Sequence, residues 1–489
     1  MGLNIILFNI LLLPSVGVFL IFFIHSNEKR LLKLLTLNFS SICFIFLLVL
    51  WLFFEKATFK FQFLNKIIIF ALFNLNFSIG IDGISLFFLF LTTLLVPICI
   101  LSSWSSVSLN LKFFFLLFLF LKFLLVCVFS VLDILFFYIC FETILIPMFL
   151  IIGIWGSRER KILASYYFFL YTLVGSIVML GSVIYILYQV GTADYELLLT
   201  FTFSKLEQKI LWVTFFLSFA SKIPMMPVHL WLPEAHVEAP TAGSVMLAGI
   251  LLKLGSYGFI RFSLPLFPYA SFFFAPLVYV LVVIGIIYAS FTAIRQTDFK
   301  RIIAYTSIAH MNLVVLGIFS FNNLGIEGAI FQSLSHGFVA SALFLIIGVV
   351  YERYKTRIIK YFGGLVVTMP IYVFIFLFFS ISNIGFPGTS SFIGEFLIFI
   401  GIFQINIFVA FLSATGMIIG GGYSLWLFNR ISYGNLKIKF SKNFVDLSLK
   451  ELLCFLPLIF GTTVSGIYPE IFLNSIHFSV SSLIELMYF

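Results

Sequence analysis

The sequence predicts an all-α polytopic membrane protein of about fourteen transmembrane helices, and three observations lead there. The chain is 62% hydrophobic and 10% charged over 489 residues, which leaves too few polar residues to cover a soluble surface. Apolar runs of roughly 20 residues recur from end to end, each long enough to cross a bilayer as a helix. The runs are continuously apolar, where a membrane barrel would alternate over roughly ten residues.

The predicted spans, 1 to 14 in order, are 3–25, 31–54, 83–106, 112–131, 132–154, 163–190, 209–226, 240–262, 271–294, 301–320, 325–351, 365–400, 405–429 and 449–468. The first run, Leu3 to Ile24, is too long for a signal-peptide core and lacks a basic leader, so no cleaved presequence is expected. The basic loops are Glu28-Lys29-Arg30, Arg158-Glu159-Arg160-Lys161, Arg295 with Lys300-Arg301, Arg353 with Lys355 and Arg357, and Arg430 with Lys437, Lys439 and Lys442. Each follows an odd-numbered span, so all lie on one side. Positive charge marks the cytoplasmic or matrix side and leaves both termini opposite. Lys56, Lys60 and Lys66, after span 2, run against this pattern. The net charge of +9 is thus mainly an orientation signal. No basic stripe stands apart from the spans, so nucleic acid is not an expected partner. The 69 phenylalanines reflect AT-rich codons better than any physical demand of the fold.

Cys43, Cys99, Cys127, Cys140 and Cys454 are scattered through apolar runs without C-x-x-C spacing, and read as small buried hydrophobes rather than cluster ligands. Gly420-Gly421-Gly422 lies inside span 13 and reads as a site of close helix packing. No strand–Gly-rich–helix unit for a dinucleotide is visible.

Ionisable residues at membrane depth are costly and mark function by default. Ser221 to Arg261 concentrates them: Lys222 and Lys253 sit in apolar sequence, separated by a proline-rich break. Landmarks also repeat. Glu142 and Lys222 lie in spans 5 and 7, 80 positions apart (222 − 142), and His310 and Glu395 lie in spans 10 and 12, 85 apart (395 − 310). A break follows Lys222 at Pro224 and Pro227, and another precedes Glu395 at Gly385-Phe386-Pro387-Gly388. An offset of five spans inverts one half relative to the other. Broken helices 7 and 12 at matching positions of inverted repeats are the signature of a transport path.

Several motifs resemble one family. They are GIDGIS (Gly80–Ser85), FETILIPM (Phe141–Met148), GSRERK (Gly156–Lys161), YFFLYTLVGS (Tyr167–Ser176), the Ser221–Arg261 stretch, DFKRIIAYTSIAHMN (Asp298–Asn312), SHGFVASALF (Ser335–Phe344), FPGTSSFIGEF (Phe386–Phe396) and LWLFNRI near Arg430. From about Gly80 onward the chain resembles chain 4 of NADH:ubiquinone oxidoreductase, an antiporter-like subunit in the membrane arm of respiratory complex I. The wording around Lys222 and Pro240-Thr241-Ala242-Gly243 is similar to the mitochondrial or proteobacterial branch.

The resemblance implies two inverted five-helix repeats. Residues 1–111 would hold spans 1–3, 112–263 the first repeat, 264–430 the second, and 431–489 a loop, span 14 and a tail. It implies a proton-translocating subunit with no redox centre or metal of its own. NADH, FMN, iron–sulfur clusters and ubiquinone are then expected in partner subunits. The expected neighbours are other membrane-arm chains, antiporter-like ones included, and lipid. The expected location is the mitochondrial inner membrane, or alternatively a bacterial plasma membrane, with both termini toward the intermembrane space.

The resemblance also assigns the proton path. Glu142 would face Lys222, so that movement of one changes proton occupancy of the other. The competing reading is a neutral carboxyl bonded to another helix. Lys253 would relay between the halves; snorkelling is its alternative. His310 and His336 would belong to a central polar axis, though a lone membrane histidine is often only an interhelical hydrogen bond. Glu395 would be the terminal carrier, or a carboxylate stabilised by a helix N-terminus. His229 is read as bordering the path, and His236 and Glu234 as tying the break together. With Glu238 they lack H-E-x-x-H spacing, so no metal is expected. Asp133 is read as a helix cap or an interface residue, and Asp82 and Asp298 as loop anchors. Two further readings stand beside this one: a subunit of a multisubunit cation/proton antiporter, and a purely structural membrane-arm spacer.

Overall fold

The computed structural model describes residues 4–70, 75–437 and 445–488. Lys439 and Lys442 lie outside the described residues. The helices are α1 (Asn4–Phe23), α2 (Lys29–Leu52), α3 (Gly83–Ser102), α4 (Leu111–Ser130), α5 (Ile134–Trp155), α6 (Lys161–Val190), α7 (Lys205–Lys222), α8 (Trp231–Glu238) and α9 (Thr241–Leu266). They continue with α10 (Pro268–Arg295), α11 (Phe299–Ile318), α12 (Asn323–Tyr354), α13 (Pro370–Ile384), α14 (Ser390–Phe403), α15 (Ile407–Ser432), α16 (Leu449–Ile467) and α17 (Glu470–Tyr488). Among the described residues thirteen helices are long and apolar enough to cross a membrane, α17 among them. α7 falls outside that set because its first turns carry Lys205, Glu207 and Lys209. α13 and α14 are the two halves of predicted span 12.

Local chemistry sets the helix starts. Asp82 and Ser85 form a capping box on α3, satisfying two orphan amides reciprocally. Asp133 caps α5 by accepting from the Leu135 and Phe136 amides, and burial pushes its carboxyl up to about 6 against those two donors. Asp298 caps α11 through the Lys300 amide. All three aspartates therefore cap helix entries, the role read for Asp133, whereas Asp82 and Asp298 were expected to anchor loops.

α9 and α12 are buried along their length, with α3, α11 and α14 packed round them. α1, α2, α6, α15 and α16 lie outside and expose rows of Phe, Ile and Leu, the surface expected for contact with lipid or other apolar partners. Close packing in α15 occurs at Gly416, not at the Gly420–Gly422 run. A Cβ on Gly416 would lie 2.2 Å from Ile286 Cγ2, whereas one on Gly422 would meet open space.

Two elements depart from the predicted layout. An antiparallel hairpin, β1 (Gln62–Phe70) with β2 (Leu75–Ile81), fills the connection between α2 and α3. Lys66 on β1 donates to Asp194 at 2.9 Å, so one of the lysines that ran against the charge pattern is neutralised locally. The other departure is α17, read above as a tail. Gly83 N–H donates to Ser479 Oγ, His477 approaches Glu327 at 2.7 Å, and Tyr488 donates to the Phe321 carbonyl. Gly83, Glu327 and Phe321 all lie at the same end of α3, α11 and α12. Both halves of α17 therefore touch one face, and the helix lies along the bundle rather than through it. Fourteen crossing segments remain, in agreement with the predicted count.

The basic loops meet on the opposite face. Glu234, after α7, accepts from Arg301 at 2.6 Å and pairs with Arg160 at 3.3 Å. Arg357 lies 3.8 Å from Glu238 and 3.9 Å from Asp298, and its guanidinium donates to the Val237 carbonyl. Lys33 donates to the Trp104 carbonyl at 2.6 Å, which brings the loops after α1 and α3 to the same side.

At the α17 end, Arg261 donates to Asp82 at 2.5 Å, both side chains being almost fully buried. Removing one partner of a buried pair leaves an uncompensated charge, at a cost of about 3–5 kcal/mol, whereas apolar replacement of both is often near neutral. Arg261→Met is expected to lower thermal stability of the assembled protein by about that much. Arg261→Met with Asp82→Asn is expected to recover most of it in a melting experiment, because Asn keeps the α3 cap.

Candidate functional site

Two helix breaks frame the site. The first follows Lys222, the last residue of α7. Pro224 and Pro227 remove amide donors, so the helix cannot continue. Trp231 Nε1 donates to the Ser221 carbonyl at 2.9 Å and closes the gap. The second separates α13 from α14, where Gly385 (φ +79) and Gly388 (φ +91) take the left-handed conformation that glycine adopts without steric cost. Ser391 Oγ donates to the Ser382 carbonyl across this break at 2.5 Å.

Glu142 lies in α5 just before an interruption at Ile144. Pro147 has no amide for the Thr143 carbonyl, which loosens the helix there. Both carboxylate oxygens are buried without a hydrogen-bond partner. Lys222 is buried, with Nζ 4.4 Å from the centre of the Phe141 ring, a favourable cation–π contact. Among the described residues no ion pair within 4 Å joins Glu142 to Lys222. Each is nevertheless the charge the other feels. α6 passes close beside them: a Cβ on Gly175 would lie 2.9 Å from the Leu217 carbonyl.

Lys253 sits at the centre of α9, between π-helical turns at Leu247–Leu251 and Phe259–Ser263, a distortion frequent at functional sites. Its side chain is fully buried. Nζ donates to the Ala248 carbonyl at 2.5 Å and lies 2.8 Å from His336 Nδ1. The His336 and His310 ring centres are 5.8 Å apart. His310 Nδ1 then lies 3.3 Å from Glu395 Oε1, within ion-pairing distance but not aligned as a hydrogen bond. Lys253, His336, His310 and Glu395 therefore form one connected row from α9 through α12 and α11 to α14.

Sequence reasoning missed the groups that hold Glu395. Gln332 Nε2 donates to Glu395 Oε1 at 3.0 Å, and Ser335 Oγ donates to Gln332 Oε1 at 2.9 Å, orienting the amide. The available signal was spacing, since Gln332 lies one helical turn before His336. Glu395 is in the second turn of α14, held by side chains rather than by the helix N-terminus.

The histidines of the first break divide. His229 is buried edge-on to Tyr288, with neither ring nitrogen bonded. Glu234 ties the break to two loops as expected, but the His236 side chain does not. Its ring stacks on Phe344 at 4.6 Å, and both nitrogens lack partners. Lys300, read only as a loop charge, is buried; it donates to the Ala239 carbonyl at 2.8 Å and to Ser244 Oγ at 3.3 Å. Lys122 is also buried but lies off the row, donating to the Ser40 carbonyl. Among the described residues no cluster of three or more His, Cys, Asp or Glu side chains is placed to hold a metal ion.

A crossing bundle with two broken helices and a buried row of lysine, histidine and carboxylate defines an antiporter-like membrane subunit. The transmembrane family of NADH:quinone oxidoreductases and Mrp antiporters matches residues 131–420. NADH-ubiquinone oxidoreductase chain 4 of Chondrus crispus is 55% identical over 99% of both chains, and that of Marchantia polymorpha is 56% identical over 98% of this chain and 96% of its own. A chain of the Thermus thermophilus respiratory complex I with bound NADH superposes with a TM-score of 0.89 at 27% identity over 99% of both. An archaeal membrane-bound sulfane sulfur reductase shares the fold, with a TM-score of 0.86 at 21% identity over 96% of this chain and 77% of its own. The chain belongs to the NADH-ubiquinone oxidoreductase chain 4 family.

The two glycines of the second break isolate the position of Glu395. A Cβ on Gly385 would fall 2.3 Å from Glu395 Oε2, while one on Gly388 would meet nothing within 4 Å. Both alanine variants pay the left-handed cost of roughly 1–2 kcal/mol. Gly385→Ala is expected to lower turnover of the assembled complex far more than Gly388→Ala at equal assembly. Equal losses would assign the effect to backbone strain alone.

Proposed function

We propose that this chain is a proton-translocating subunit of a respiratory NADH:ubiquinone oxidoreductase in the mitochondrial inner membrane. NADH oxidation and quinone reduction take place in partner subunits, which hold the FMN, the iron–sulfur clusters and the quinone site. The observation that carries this reading is the row Lys253–His336–His310–Glu395. Its members are buried, adjacent and drawn from four helices, in a setting where each isolated ionisable group is costly. A structural spacer has no need of four exchangeable groups in series.

In this reading residues 112–263 and 264–430 act as inverted halves, each with one broken helix. Residues 1–111 and 431–489 flank them. The basic loops face the matrix, and both termini face the intermembrane space. Neighbouring antiporter-like chains of the membrane arm extend the row at either end. Glu142 and Lys222 load the first half. A change of about 1.4 kcal/mol in their interaction alters proton occupancy tenfold, so a small shift of α5 against α7 suffices. Lys253 passes the proton to His336, and His310 hands it to Glu395. Imidazole suits these steps because it exchanges protons near neutral pH with little tuning. His229 borders the first half.

The test uses the holo-complex in proteoliposomes. Lys253→Met and Lys222→Ala are expected to lower the number of protons moved per NADH oxidised. Unchanged stoichiometry in either would remove that lysine from the path. His310→Asn and His336→Asn, acting in series, should be non-additive, so the double variant should pump no worse than the poorer single one. Sodium flux without NADH or quinone would favour the cation/proton antiporter instead. Normal pumping after joint neutralisation of Lys222, Lys253 and Glu395 would leave only a structural role.

A further inference from the structure

We propose that a cavity at the basic-loop end of the bundle, lined by Glu352, is where protons enter toward Lys253. This rests on the proton-carrying reading above and assigns a group outside the row already described. The cavity has a volume of about 80 Å³ and lies between α3, α9, α12 and α16, among Ser102, Trp104, Thr241, Gly348, Glu352 and Cys454. That is room for several waters, since one needs roughly 10–15 Å³ measured this way.

Two carboxylates line it, and their surroundings differ. Glu451 is held by both terminal nitrogens of Arg353 at 2.8 Å and accepts from Ser448. Glu352 has no ion pair within 4 Å among the described residues. It is the carboxylate there that can take up and release a proton without breaking a salt bridge. The cavity wall follows α12 from Glu352 to Leu345, about 10 Å into the bundle at a rise of roughly 1.5 Å per residue.

Leu345 lines the inner end, and Phe344, next to it on α12, stacks on the His236 ring at 4.6 Å. His236 is fully buried, both its nitrogens lack protein partners, and Lys300 and Lys253 are the cations that act on it. A buried polar group left unsatisfied costs about 1–3 kcal/mol, so an imidazole without partners at this place points to exchange rather than to scaffolding. The route runs from Glu352 past the Thr241 hydroxyl to His236 and on to Lys253. A proton taken up by the Glu352 carboxylate leaves it through the cavity, and Glu352 returns to its charged form.

Two variants of the holo-complex test the cavity independently. Glu352→Gln removes the exchangeable carboxyl, and Ser102→Phe fills the space while keeping that carboxyl. Both are expected to slow NADH-driven proton pumping severalfold, with NADH oxidation by an artificial acceptor unchanged. Glu352→Asp is expected to restore most of the rate, which a purely structural loss would not. Full pumping in either Glu352→Gln or Ser102→Phe overturns the proposal. If Lys253→Met abolishes pumping while both cavity variants are normal, the entry lies elsewhere and the row stands. If Lys253→Met also pumps normally, the row itself fails.

Discussion

The rest of the structure depends on one constraint: an ionisable side chain at membrane depth must find its partner inside the protein. Lys253 meets it with a carbonyl of its own helix and an imidazole from α12. Glu395 meets it with Gln332 and His310. These demands draw α9, α11, α12 and α14 together, and α9, α12 and α11 are the most deeply buried of the long apolar helices. Lipid-facing helices supply none of it, and accordingly α1, α2 and α15 expose much of their surface.

The same constraint governs the backbone. A broken helix leaves amides and carbonyls that lipid cannot satisfy. Both breaks are therefore closed by side chains of the bundle, Trp231 at the first and Ser391 at the second. Each break also frees space beside a charge. At the second, the space is set by a missing Cβ, since Gly385 lets the Glu395 carboxylate approach closer than any side chain would allow.

The crossing helices were legible because membrane thickness imposes a length on apolar runs, and the polar landmarks because burial makes each charge stand out. The hairpin was not. Residues 62–81 interleave apolar residues with Gln62, Asn65, Lys66, Asn74 and Asn76 without strict alternation, and Lys66 is tied to Asp194, 128 positions away. α17 was missed for a related reason. A helix lying along a face needs only one apolar stripe, and its serines thin the signal a span would give. Within the site, residue types were legible and partnerships were not. The contact of Lys253 with His336 joins residues 83 positions apart. His236 was read as a tie because its neighbour Glu234 is one. Sequence proximity gave both the same role, although only the carboxylate reaches the arginines.

The two halves of the path are built differently, and the difference bears on how charge could be passed along. The second half is connected, with three contacts linking Lys253 to Glu395. The first half is not: among the described residues no ion pair within 4 Å joins Glu142 to Lys222. A connected row transmits protons readily but cannot by itself set direction, since each step is reversible. In the proposed path, directional loading is assigned to Glu142 and Lys222, which stand beside an interrupted α5 and the break that ends α7. On that proposal, the row beyond Lys253 serves as the conductor that such a switch requires.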